Sequence, residues 1–200
     1  MAAKFIAFLL LCAALHAQEL KPVIDNDRVT VWDVQWTKGQ TNPARGHDTD
    51  AVVMWIAGPK LRTASFSPKG DPRNERSSAD SNPPRSLIIE LKDHPMPRYE
   101  NKTGYPLAFP RPHVRKLLEN GRVVVWSYRW NPGEPTPMHF HDKDVVVVYL
   151  EDTALVSTTP DGAKKLNQYK AFDIRFNKGN RAHTESLDHG NGSAMMMELK

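Results

Sequence analysis

Apolar residues come in short runs separated by turn-forming residues rather than at helical spacing. The runs 29–36, 52–56, 87–91, 122–130, 145–150, 171–176 and 194–199 are rich in Val, Ile, Met and Trp. Each is bounded by Gly, Pro, Asn or Asp, the signature of β-strands. Within 29–36 and 122–130, Val and Trp alternate, so one face of each strand packs a core and the other lines something else. Helical periodicity is weak except around 113–119, where one short helix is expected. Sixteen prolines and eleven glycines supply the punctuation. Many short strands with turns between them predict an all-β sandwich or barrel.

The pattern occurs twice. Shifting the chain by 94 residues aligns 26–55 with 120–149 without a gap. Asn26, Arg28, Val29, Trp32, Trp36, Gly39, His47 and Asp50 fall on Asn120, Arg122, Val123, Trp126, Trp130, Gly133, His141 and Asp144. The ends of the halves agree as well, 86–92 with 194–200. Repetition at this length indicates two copies of one β-unit. The first half is shorter in the middle and lacks a hairpin expected in the second near Pro160-Asp161-Gly162.

Composition narrows the compartment and the chemistry. Lys4, an apolar stretch from Phe5 to Leu15, and Ala17 before Gln18 read as a secretory leader, too short for a bilayer span. The protein is therefore expected to be periplasmic or secreted. Cys12, the only cysteine, falls in that leader, so disulfides and thiolate chemistry are excluded from the mature chain. The net charge of +4 is spread along the chain and shows no basic stripe, which argues against a nucleic-acid partner. No later segment is apolar for long enough to span a membrane.

Histidines carry the candidate chemistry. His139 and His141 stand two apart at the start of a strand-like run, so both imidazoles share one face. His183 lies on a turn expected just after the strand 171–176. Three imidazoles suit one divalent transition metal: iron, manganese, zinc, copper or nickel. Glu185, two residues beyond His183, reads either as a general base beside that ion or as a solvated loop carboxylate. In the first half, Arg45 stands in the place of His139 and Asn74 in that of His183, leaving His47 alone. An always-charged guanidinium beside one imidazole makes a poor cation site. That half is expected to buttress the other, with anion binding as the alternative.

These blocks resemble the cupin superfamily. Gly133-Glu-Pro-Thr-Pro-Met-His139-Phe-His141 is similar to its first motif, and Asn177-Lys-Gly179-Asn-Arg-Ala-His183 to its second. The resemblance implies two tandem cupin-type jelly-roll barrels, a bicupin, with metal in the second only. It divides the chain into a leader at 1–17, a degenerate barrel at 18–92, a linker at 93–118 and a metal-binding barrel at 119–200. The family's glutamate ligand is missing, since Val145 and Val146 occupy its place. The implied centre is His139, His141 and His183 without that carboxylate, as in some dioxygenases of this fold. Asp144 is read as a turn residue. The resemblance further implies a small-molecule ligand or substrate and a homodimer. It leaves two functions open, a dioxygenase-like metal enzyme and a non-catalytic binding or scaffold protein.

Overall fold

Continuous apolar strands require cover on both faces, and the fold supplies it. The computed structural model describes residues 21–36, 48–57, 60–70, 85–95, 97 and 99–200. The leader and the positions Arg45, His47 and Asn74 lie outside the described residues. The described chain is all-β, as expected, and no helix is among its elements.

The first half contributes β1 (Ile24–Asp25), β2 (Val29–Gln35), β3 (Asp50–Ala57), β4 (Lys60–Ser67) and β5 (Arg85–Leu91). They form one antiparallel sheet in the order β1-β2-β5-β3-β4. The second half contributes β6 (Val114–Glu119), β7 (Val123–Arg129), β8 (His139–His141), β9 (Val145–Tyr149), β10 (Thr153–Thr158), β11 (Lys164–Tyr169), β12 (Ile174–Asn177), β13 (Arg181–Gly190) and β14 (Ser193–Leu199). These make a five-stranded sheet, β12-β9-β14-β7-β6, and a four-stranded sheet, β11-β10-β13-β8. From β7 onward the chain passes back and forth between the sheets in jelly-roll fashion, except at the β10–β11 hairpin, which stays within the four-stranded sheet.

The first-half sheet repeats the five-stranded sheet of the second half strand for strand. Capping details repeat too. Asn26 Oδ1 accepts from the amides of Arg28 and Val29 at 2.8 and 3.0 Å, and Asn120 Oδ1 accepts from Arg122 and Val123 at the same distances. Trp32 Nε1 donates to Glu90 and Trp126 Nε1 to Glu198. In the first half β3 turns directly into β4, whereas in the second β10 and β11 intervene between the corresponding strands. That hairpin, turning at Pro160-Asp161-Gly162, is the one whose absence the sequence shows.

The two five-stranded sheets pack face to face. Val29, Val31, Val52, Met54, Leu87 and Ile89 form one core with Val123, Val125, Val146, Val148, Met195 and Met197. The opposite face of the second-half sheet carries Val124, Trp126, Tyr128, Val147, Tyr149 and Met196 into the barrel. Both faces are therefore dry, and these strands read as unbroken apolar runs. The four-stranded sheet has its outer face in water, so β11 is polar and mostly exposed.

Reciprocal ion pairs hold this interface. Arg28 of the first half reaches Asp144 of the second at 3.4 Å, and Arg122 of the second reaches Asp50 of the first at 2.9 Å. Since Arg28/Arg122 and Asp50/Asp144 are repeat equivalents, the contact has the self-complementary form of a two-fold interface within one chain. Asp144 is thus no simple turn residue: it also accepts from the Gly179 amide at 2.8 Å and from Tyr99 at 3.3 Å. Gly179 has no room for a side chain, because a Cβ there would stand 2.5 Å from the Tyr99 ring.

The segment expected as a linker departs from expectation. Residues 114–119 form β6, paired with β7, and not a helix. Lys116, Leu117 and Leu118 pass over a register shift there, and the covered apolar face of β7 overrides their helical tendency. Ala108 and Phe109 are buried in the barrel core, where Phe109 stacks on Trp126 at 5.5 Å. Across the outer edge of β8 the Ala108 amide donates to the Phe140 carbonyl and the Phe140 amide to the Pro106 carbonyl, each at 2.8 Å.

The two ion pairs differ in burial. Arg28 and Asp144 are 8% and 4% exposed, against 34% and 20% for Arg122 and Asp50. Removing one partner of a buried pair strands the other charge, a cost of about 3–5 kcal/mol, whereas exposed pairs contribute about 0–1 kcal/mol. Arg28→Ala should therefore lower the urea midpoint far more than Arg122→Ala. Equal shifts for the two variants would contradict this ranking.

Candidate metal centre

β8 is only three residues long, yet it aims both of its imidazoles inward. Gly133, at φ +75°, sits in the left-handed region that a glycine adopts without penalty, and it turns the chain from β7 toward β8. β8 pairs with β13 so that His139 lies opposite His183 and His141 opposite Arg181. His183 is therefore a strand residue rather than the turn residue expected. Alternation along β13 then puts Arg181, His183, Glu185 and Leu187 on one inward face.

The three histidines meet. His141 Nε2 is 3.2 Å from His139 Nε2 and 3.2 Å from His183 Nε2, and all three residues are buried. Two nitrogens bound to one ion at 2.0–2.1 Å stand roughly 2.9–3.4 Å apart for angles near 90–109°. The observed separations fit. The chemistry of the donors fits as well. His139 Nδ1 lies 2.8 Å from the carbonyl of Pro137, which fixes the proton there and leaves the Nε2 lone pair facing the centre. His141 Nδ1 is buried without a hydrogen-bond partner, and its Nε2 cannot satisfy both neighbouring nitrogens with one proton. A shared cation resolves that conflict.

Burial and nearby cations keep these rings neutral. His139 is pulled down to about 4, first by burial and then by the charge of Arg111. His141 is held well below the usual imidazole range by burial, with Arg181 adding to it. Burial lowers His183 too, against the pull of Glu185. Neutral imidazole is the form that binds metal.

Glu185 reaches the edge of this cluster. Its carboxylate accepts from Trp130 Nε1 at 3.1 Å, and lies 3.8 Å from His183 Nε2 and 3.8 Å from an Arg111 nitrogen. Burial pushes this carboxyl up, but nearby positive charge, that of Arg111 and Arg181 included, outweighs it and holds it ionised. Its side chain is 13% exposed, so it is a packed wall residue and not a solvated loop acid. Val145 and Val147, near the place of the family's glutamate ligand, line the cavity as apolar surface.

Two charged groups escaped the sequence reading. Arg181 was visible in principle, because Arg-x-His-x-Glu is a two-residue alternation once 181–190 is recognised as a strand. Arg111 had no local signal. It comes from the connecting segment, and its guanidinium lies 4.0 Å from the Tyr128 ring centroid and 4.9 Å from that of Phe109. One terminal nitrogen is 3.1 Å from His139 Nε2. Tyr149 and Tyr169, stacked at 3.7 Å, complete the aromatic wall. Trp126, Tyr128 and Trp130 are buried behind it in the barrel core.

His141 and His183 open onto a cavity of about 360 Å³ between the two sheets of the second half. Larger depressions, of about 420 and 470 Å³, lie around Arg28 and His94, away from the histidines. We assign the chemistry to the smaller one, since it alone of the three is lined by these donors.

No family model matches the chain. Over 60 residues it is 40% identical to the β-alanine degradation protein BauB of Pseudomonas aeruginosa, a stretch covering 30% of this chain and 59% of that protein. A cupin domain from Bordetella pertussis is 26% identical, with 46% of this chain and 97% of that one covered at a TM-score of 0.40. An RmlC-like cupin with a double-stranded β-helix fold from Methanocaldococcus jannaschii is 16% identical, covering 50% and 92% at a TM-score of 0.37.

Depressed imidazole pKa values make stability depend on pH. Below the ordinary value near 6.5 the unfolded chain takes up protons that the folded site refuses, so acid favours unfolding. Metal-free protein should lose stability as pH falls from about 6.5 toward about 4, the value for folded His139. His139→Gln should flatten that slope in urea titrations at stepped pH. An unchanged slope would contradict the assignment. Strand order in two facing sheets, closed over three inward histidines, makes residues 114–199 a jelly-roll β-barrel.

Proposed function

We propose that the protein is an exported metal-dependent enzyme acting on a small molecule, with its centre at His139, His141 and His183. The observation that carries this reading is the convergence of three buried, neutral imidazoles, two of which line one cavity. A transition metal bound there would act as a Lewis acid or activate oxygen, in line with a dioxygenase-like reaction. The chain's own groups have definite tasks. His139 is oriented by Pro137, and the aromatic wall excludes water. Glu185, held by Trp130, accepts or returns a proton at its carboxylate within reach of a bound substrate. The β-alanine degradation role named for the P. aeruginosa relative supports small-molecule catabolism as the setting.

The alternative, a binding or scaffold protein with a vestigial site, gains support from the missing motif glutamate. Turnover after Glu185→Gln separates the two. That change should lower kcat by about 10²–10⁴, the usual range for a proton-transfer group, with metal content kept. Export is proposed from the leader pattern, and N-terminal sequencing of secreted protein should find a start at or beside Gln18. A homodimer would have to form elsewhere than on the apolar sheet face, which is used up within the chain.

Elemental analysis of purified protein should give at most about one transition-metal ion per chain. His141→Ala should abolish it, and Arg45→Ala should leave it intact. Metal retained by His141→Ala would overturn the assignment.

A further inference from the structure

We propose that the cavity beside the three histidines selects a small organic carboxylate, and that Arg111 is the group that binds it. This rests on reading the cavity as a small-molecule site, but not on the metal itself. Arg111 is only 5% exposed at its side chain. Its Nε is buried without a hydrogen-bond partner. Its nearest carboxylate, Glu185, stands at 3.8 Å, too far for a hydrogen bond, and is already held by Trp130. Its other contacts, to His139 Nε2 at 3.1 Å, to the Met196 sulfur and to the Tyr128 and Phe109 rings, are all uncharged, so this buried charge has no anion within hydrogen-bond reach and is costly unless one meets it.

The rest of the lining points the same way. Arg181, Lys164 and Lys165 also face the cavity, and Glu185 is the one acid among the described lining residues. Neutral imidazoles cancel none of this charge, and a divalent ion between them would add to it. An anion therefore lowers the energy of the site with or without metal.

The class of anion follows from shape. A planar guanidinium matches a carboxylate with paired N–H donors. Val145, Val147 and Met196, the last in contact with Arg111, add apolar lining suited to a short carbon chain. About 360 Å³ leaves room for a compact acid.

The probes are straight-chain C2 to C5 carboxylates and their amides, titrated by calorimetry into full-length mature protein, both chelator-treated and metal-loaded. The acids should bind at least tenfold more tightly than the matching amides. Arg111→Met should remove that preference in the chelator-treated protein, and Arg111→Lys should restore part of it. Arg175→Met, at an exposed residue of β12 outside the cavity, should change nothing. Equal binding of acid and amide by wild-type protein, which needs no variant to fold, would overturn the proposal. So would an Arg111→Met protein, folded by its unfolding midpoint, that keeps the preference. Acid-selective binding in a protein that takes up no metal would sink the metal reading and leave this one standing.

Discussion

Everything else in this molecule leans on the packing of one β-sheet against its own repeat. The five-stranded sheet of the second half has the first-half sheet on one face and the barrel interior on the other. It can shed water from both faces only because the repeat supplies a matching apolar surface. Ion pairs close the rim, Arg28 to Asp144 and Arg122 to Asp50, each crossing between halves. An isologous contact normally joins two copies of a chain. Here the copies are covalently linked, so the contact does not depend on protein concentration.

That arrangement divides labour between the halves. The sandwiched sheet is a fixed wall, and it carries Trp126, Tyr128 and Tyr149 into the barrel. The four-stranded sheet, away from the interface, carries the histidines on β8 and β13. Chemistry thus sits on the sheet that is free of the interface, against a backdrop that is not. The same logic accounts for Asp144. It anchors Arg28 and the Gly179 amide together, tying the interface to the turn that leads into β13.

Electrostatics in the cavity pull in one direction. Three imidazoles are kept neutral by burial and by Arg111 and Arg181, while Glu185 is kept charged by the same cations. One set of charges therefore prepares lone pairs for a cation and a carboxylate for proton exchange. Arg111 couples these effects, because it touches His139, faces Glu185 and lies over the rings of Tyr128 and Phe109.

The repeat, the all-β class, the paired inward histidines on β8 and the extra hairpin of the second half were all legible in the chain. Each depends on local alternation or on self-similarity, which a linear sequence carries in full. The strand β4 was not visible, and of the hairpin β10–β11 only the turn and the extra length were, because strands with a solvated face look like loops. His183 was read on a turn for a related reason: its strand is polar on the inward side, where function has replaced core. Arg111 lay beyond any sequence argument. Its position beside His139 depends on a connecting segment lying along the edge of β8, and only the tertiary structure decides which edge a connector covers.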